Sequence, residues 1–333
     1  MKKKIIICLL FIILSFPEAV LSQLSFRVFA GKSLIHGGDL NKNIYGWSEY
    51  FKDRNQAPYT FDYNLKELHS LLEGGVDLAY NFSHRWSAAL SIELLEGTTH
   101  GEMSSSMNDE QDYFHSPGDS GTIYLNEQSL QEPKYHLQTI PVSITIFYSF
   151  PFRDNMNFYL GCGVGYYSGK INYREYYQYD FDYIDEKNNN GAPVNFVDKY
   201  SSSGSYYEET RCKTFGFHLR GGLEYKIRSG IHLIVEAAGR MVEFKEWKGN
   251  KNDSFSWDHT WGYWGASSDK DSLKEAAEGK LWMVSFHSDK TGKSYPRFIF
   301  SDEKPSSYFY TDVRPARINL NGLSLRAGIK ISF

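Results

Sequence analysis

The chain is short of cysteine, with three in 333 residues, and one of them, Cys8, lies near the amino terminus. That excludes a disulfide-stapled scaffold, which needs several paired cysteines. Beyond the first 22 residues no apolar run approaches the roughly 20 residues that a membrane-crossing helix needs. Charge of one sign is missing as well. Lys and Arg total 36 against 40 Asp and Glu, a formal net charge of −4. General affinity for nucleic acid needs a basic footprint, so no nucleic-acid partner is expected. Aromatic residues, by contrast, are plentiful at 17%, with 25 tyrosines the commonest of them. Tyr and Trp suit positions where one end of the side chain is apolar and the other wet, such as a membrane interface or a binding surface.

The amino terminus carries a basic start at Lys2, Lys3 and Lys4, an apolar stretch over residues 5–16, and small residues at Ala19 and Ser22. This order predicts a secretory signal over residues 1–22, cleaved before Gln23. The apolar stretch is too short to span a bilayer. Cys8 lies inside it with no small-residue lipobox before it, so a lipoprotein is not expected. The mature segment, 23–333, then carries a net charge of about −6.

The last eleven residues are the most informative stretch. Leu323, Leu325, Ala327, Ile329, Ile331 and Phe333 share one face at period two, and Ser324, Arg326, Gly328, Lys330 and Ser332 share the other. An outer-membrane strand needs a lipid face, a polar lumen face and an aromatic residue at the interface. Leu325, Ala327, Ile329, Ile331 and Phe333 therefore form the expected carboxy-terminal signal for the barrel-assembly machinery.

Seven further segments repeat the pattern. Leu24, Phe26, Val28 and Ala30 flank an inward Arg27. Leu72, Val76, Leu78, Tyr80 and Phe82 oppose Glu73, Asp77 and Asn81, and Trp86, Ala88, Leu90, Ile92 and Leu94 oppose Ser87, Ser91 and Glu93. Ile140, Val142, Ile144, Ile146 and Tyr148 oppose Thr139, Ser143 and Thr145. Phe158, Leu160, Cys162, Val164 and Tyr166 face outward opposite Gly161, Gly163 and Gly165. The sixth segment sets Phe217, Leu219, Leu223 and Tyr225 over His218, Arg220, Glu224 and Lys226. The seventh sets Leu233, Val235, Ala237 and Met241 over His232, Glu236 and Arg240. Short connections near 83–85, 151–156 and 228–230 alternate with long ones over 35–67, 98–134, 174–210 and 248–312. This predicts an all-β fold: a closed, antiparallel, up-and-down transmembrane β-barrel of eight strands with short periplasmic turns and long extracellular loops. Ten strands result if residues 280–312 supply an extra hairpin.

Residues 140–148 (IPVSITIFY), a short turn, and residues 159–166 (YLGCGVGY) together resemble the central hairpin of the OmpW-like and OmpX-like small outer-membrane proteins. The Phe333 strand is similar too. The resemblance covers the strands, under half of the mature chain. It implies a small barrel in the outer membrane, and OmpW-like members imply a passage for small hydrophobic solutes. The loops here are longer than OmpX-like ones. Nothing follows Phe333, so the peptidoglycan-binding domain of OmpA-like proteins is not expected.

The inward set combines Glu73, Asp77, Glu93, Glu224 and Glu236 with Arg27, Arg220, Lys226, Arg240, Arg326 and Lys330. A selective pore favours rings of one sign. Nearly cancelling signs predict a charge-paired, closed lumen. The alternative is passive passage of small hydrophobic or polar solutes, for which the three strand-five glycines leave room. The long loops hold the binding candidates Tyr176, Tyr177, Tyr179, Trp257, Trp261 and Trp264. They make either a ligand-facing surface or packing that extends the hairpins beyond the membrane.

No enzymatic constellation is evident. No histidine is followed two residues later by serine, the pair a PagL-type deacylase would show. The acidic run at Asp180, Asp182, Asp185 and Glu186 lacks the glycine and terminal glutamate of a calcium loop, so no metal or other cofactor is expected. Cys162 and Cys212 fall too far apart for a bridge and are expected to be free thiols. The reading is a monomeric, non-catalytic protein of the cell outer membrane, in contact with lipid and lipopolysaccharide. Its expected role is adhesion, surface interaction or envelope stability, and its extracellular ligand is open.

Overall fold

The computed structural model describes residues 23–55, 58–116, 119–189 and 192–333; the expected signal segment, 1–22, lies outside them. The first half of the chain runs β1 (Leu24–Ile35), α1 (Asp39–Arg54), β2 (Tyr59–Tyr63), β3 (Ser70–Asn81), β4 (Trp86–His100), β5 (Met103–Ser116), β6 (Asp119–Arg153) and β7 (Met156–Asn189). The second half runs β8 (Ala192–Arg228), β9 (Ile231–Met241), β10 (Glu243–Lys245), β11 (Lys248–Tyr263), β12 (Ser267–Ser288), β13 (Lys293–Ser301), β14 (Tyr310–Pro315), β15 (Arg317–Asn319) and β16 (Gly322–Ser332).

Eight of these strands close on themselves in a ring of antiparallel pairs. The order is β1-β3-β4-β6-β7-β8-β9-β16 and back to β1. The register follows from the period-two sequences, because a one-residue slip would send every charge of a strand to the wrong face, and the β1–β16 pairing closes the ring. In β1, Arg27, Phe29 and Ser33 are buried, while Val28 and Leu34 are exposed. The register sets Arg27 directly opposite Asp77 on one side and Lys330 on the other. At one end of the ring the N–H of Phe333 donates to Leu24, and the N–H of Ser332 donates to Gly230. The short turns of β3–β4, β6–β7 and β8–β9 belong to this end, called lower below.

The upper end differs from the expectation of long loops. β6, β7 and β8 are 34–37 residues long, against 11 in β9 and β16, and they keep pairing far above the ring. The β7–β8 register runs unbroken from Met156–Tyr225 to Asn189–Ala192. β5 pairs with β6, and β11 continues the sheet on β8, followed by β12. Alternating tyrosines and other strand formers in 173–183 favour this extension over loop structure. Most of segments 98–134, 174–210 and 248–312 is therefore sheet. Residues 280–312 do not join the ring, because β12 pairs with β11, β13 and β14 at the sheet edge.

Segment 35–67 holds the helix. Gly37 and Gly38 take positive φ values of 76° and 61°, which reverse the chain out of β1. Leu40, Ile44 and Phe51 fall on one face of α1 and are buried, with Asp39 in the first turn and Lys52 and Arg54 in the last. Two buried amides pin the helix. Asn41 accepts from the N–H of Leu68 at 2.8 Å and donates to the Leu68 carbonyl, and Asn43 accepts from the N–H of Phe298 and donates to the Tyr135 hydroxyl. Against α1, the β10–β15 pair and its flank bring Phe244, Trp247, Ile318 and Leu320 into one apolar cluster with Leu71, Leu95, Leu137 and Ile171 of the ring strands. This cluster is a plug in the upper mouth of the ring.

Candidate functional site

Below the plug, the interior of the ring is a layer of buried ion pairs. Arg220 donates to Asp77 at 2.7 Å and to Glu236 at 2.8 Å. Arg240 bridges Glu73 and Glu93 at 2.7 and 2.9 Å. Arg326 contacts the same two carboxylates at 2.7 and 3.0 Å. Glu224 is shared by Arg27 at 2.8 Å and Lys330 at 2.9 Å. Five carboxylates thus meet five cations, and each carboxylate contacts at least one cation. Further donors are taken up locally: Arg220 reaches the Ser91 hydroxyl, Arg240 reaches that of Ser33, and Tyr159 donates to Glu236, whereas Arg27 Nε and Nη1 are buried without a hydrogen-bond acceptor.

Aromatic rings complete the layer. Arg27 lies over Phe147 and Tyr159, and Arg220 and Arg326 lie over Phe29. Phe29 and Phe147 were not singled out from sequence, although both stand at inward parity. Lys226 is a correction. It sits at the lower end of β8, where residues 225–229 are all exposed, and joins none of these pairs among the described residues. The strand-five glycines do not leave a passage either. A Cβ at Gly161 would strike the Phe147 ring at 2.4 Å, one at Gly163 would strike His218 at 2.5 Å, and one at Gly165 would meet Tyr167 at 2.9 Å. The space the glycines free is filled by those three side chains.

Above the plug, the sheet of β6, β7, β8 and β11 presents an inner face whose chemistry is set by register. One row across it reads Tyr135, Tyr173, Glu208, Lys251, the next Pro133, Glu175, Tyr206, Asp253, and the third Gln131, Tyr177, Gly204, Phe255. With Asn43 and Trp47 of α1 and Phe298 of β13, residues of these rows line a cavity of about 330 Å³ that is open on one side. Tyr173 donates to Glu175, Tyr206 to Glu208 at 3.1 Å, and Tyr177 to Asp253 at 3.3 Å. Burial pushes Glu208 up to about 7 and raises Glu175 above the usual carboxylate range. Beside the cavity, Arg297 of β13 stacks 3.6 Å over Trp47, and burial lowers its pKa to about 10.

The loop candidates separate by parity. Tyr177, Tyr179 and Trp257 lie on the inner-face rows, where Phe255 stacks on Trp257 at 5.3 Å and on Tyr177 at 6.3 Å. Trp261 stacks on His259 at 4.6 Å farther up. Tyr176 points to the outer side, and Trp264 is exposed at the β11–β12 turn with φ 60°. Trp247 belongs to the plug rather than to a surface. Cys162 is free and exposed on the outer face, and Cys212 is free and buried beside the Lys245 carbonyl. The outer face of the ring is apolar on all eight strands, with Val28, Val76, Leu90, Ile144, Leu160, Leu219, Val235 and Ile329 all more than one-third exposed.

No family model and no curated protein matches the chain. Among solved structures it is similar to the crystal structure of a Pseudomonas aeruginosa FadL homologue, at 8% identity over 93% of this chain and 90% of that one. The TM-score is 0.14, too loose a likeness to bear on fold or function.

Proposed function

We propose that the protein is an integral outer-membrane β-barrel that is sealed inside. It works without catalysis through the sheet above the membrane, in surface interaction, adhesion or envelope stability. The observation that carries this reading is the apolar outer face of the closed ring. Soluble monomers rarely expose more than a few hundred Å² of contiguous apolar surface, and here every strand contributes. Lipid is the solvent that suits it, and a ring leaves no strand edge unpaired there. Phe82, Trp86, Phe152, Phe158, Tyr225 and Phe333 crowd the lower rim, and Tyr166 and Phe215 mark the upper one, as two interfacial belts would.

On this reading the upper sheet faces the cell exterior. Lipid and lipopolysaccharide contact the ring, the assembly machinery reads the Phe333 strand, and the molecule is a monomer. The paired charge layer and the plug both oppose a solute path, so passive transport is the weaker reading. The test is fractionation of cells expressing the full chain, followed by protease treatment of intact cells. The expected result is recovery with the outer membrane, and cleavage confined to the upper hairpins with the ring protected. Recovery as soluble periplasmic protein would overturn the proposal.

A further inference from the structure

We infer that the cavity above the plug binds a small organic cation bearing an alkylated ammonium group. Three features point to a positive ligand. The first is charge: Glu175, Glu208 and Asp253 line one cavity, and among the described residues none forms an ion pair. Their hydrogen bonds come from phenols, which are neutral and leave the carboxylates, when ionised, without an ion-pair partner. Glu208 is only 6% exposed, and buried charges are ordinarily paired. The second is an unfilled acceptor: the Gln131 side-chain oxygen is buried at the same cavity and receives no hydrogen bond, which calls for a donor such as a hydroxyl elsewhere on the ligand. The third is the wall itself. Tyr135, Tyr173, Tyr177 and Tyr206 surround the carboxylates, while the Trp47 ring is already covered by Arg297; aromatic faces attract cations, alkylated ammonium groups most characteristically.

The competing ligand classes fit less well. An anion would meet three carboxylates. A metal ion needs converging ligands, and among the described residues no three acid, His or Cys side chains stand close enough to hold one. The volume of about 330 Å³ falls at the lower end of the range for small-molecule sites.

The groups facing Glu208 set the pH dependence. They are Tyr206 on its own strand, Tyr173 and Glu175 on β7, Tyr135 beyond them on β6, and Lys251 and Asp253 on β11. Lys251 stands directly opposite Glu208 yet comes no closer than an ion-pair distance of 4.0 Å allows, so it attracts the carboxylate without neutralising it. Arg297 of β13 is occupied by Trp47, Tyr50 and Phe286. With Glu208 titrating near 7, a cation binds the ionised form and releases a proton from the neutral one. Affinity should therefore rise about tenfold between pH 6 and pH 8.

The inference depends on the proposed membrane placement only for the direction of ligand entry, which would be from outside the cell. Binding itself is tested apart from that placement, on the full mature chain refolded in detergent micelles. Calorimetric titration with choline chloride is compared with its uncharged carbon counterpart, 3,3-dimethylbutan-1-ol, and with calcium chloride. The expected result is saturable choline binding, about tenfold tighter at pH 8, accompanied by proton release. It should weaken by about tenfold or more in Glu208→Gln and stay unchanged in Asp258→Asn, whose exposed side chain pairs with Lys270 away from the cavity. If Glu208→Gln does not refold, Glu175→Gln takes its place. Equal binding of the neutral analogue, preference for calcium, no saturation, or unaltered binding in the folded variant would overturn the inference. Failure of the fractionation test would leave this result standing, and the reverse also holds.

Discussion

Two regions of this protein withdraw carboxylates from solvent, fully in the ring and in part above the plug, and they hold them differently. In the ring, Glu73, Asp77, Glu93, Glu224 and Glu236 each meet arginine or lysine at salt-bridge distance. In the cavity above the plug, Glu175, Glu208 and Asp253 are held only by tyrosine hydroxyls. A fully paired layer gives a closed, specified interior, since removing any member strands its partner in a low-dielectric site. An unpaired set has unspent charge and open volume beside it. The first arrangement suits a wall, the second a receptor.

The largest effect that would break this comparison comes from the wall. Arg220→Met strands Asp77 and part of Glu236, and should destabilise the folded protein by about 3–5 kcal/mol. Urea unfolding in micelles, followed by tryptophan fluorescence, measures it. A loss below ~1 kcal/mol would mean that water already screens the layer.

The cavity should respond with the opposite sign. Glu208 has a folded-state pKa of about 7, above the ordinary carboxylate value of 4.5, so the folded protein holds its proton more tightly than the unfolded chain does. Its contribution to stability is fully present below pH 4.5, falls as pH rises to about 7, and stays lost above that. Without ligand, Glu208→Gln should therefore gain on the order of 3 kcal/mol at pH 8 and less than about 1 kcal/mol at pH 5. Unfolding curves at the two pH values read this difference, and a loss at pH 8 would show that the carboxylate is compensated after all.

Smaller tests sharpen the boundary between the regions. Ile318→Val removes one methyl from the fully buried plug and should cost about 1 kcal/mol. Cys162→Ser, on the outer face, should change stability in micelles by less than about 0.5 kcal/mol. A substantially larger change at Cys162 would mean that the outer side of β7 is packed rather than exposed.

The ring was legible because each of its strands carries its own answer. Arg326 between Leu325 and Ala327, or Asp77 between Val76 and Leu78, names its face without reference to any other strand. α1 was missed although Leu40, Ile44, Trp47 and Phe51 recur at helical spacing, because the segment is polar overall and sits between strands. The cavity was out of reach for a different reason. Tyr173, Glu208 and Lys251 become neighbours only once the registers of β6, β7, β8 and β11 are fixed, and these residues lie far apart in the chain. The alternation of Tyr173, Glu175, Tyr177 and Tyr179 was the available signal. It reads as strand once loop is set aside, since acidic and aromatic residues share one parity.

The central claim is that the ring is a wall and the space above it is the site. The most direct measurement is on the full mature chain refolded into liposomes, recording ion conductance together with entry of a small apolar dye. The account predicts neither conductance nor dye entry at pH 6 or pH 8, with or without an organic cation outside. Reproducible passage of ions or dye by the folded wild-type protein would contradict it, and would make the ring interior a path.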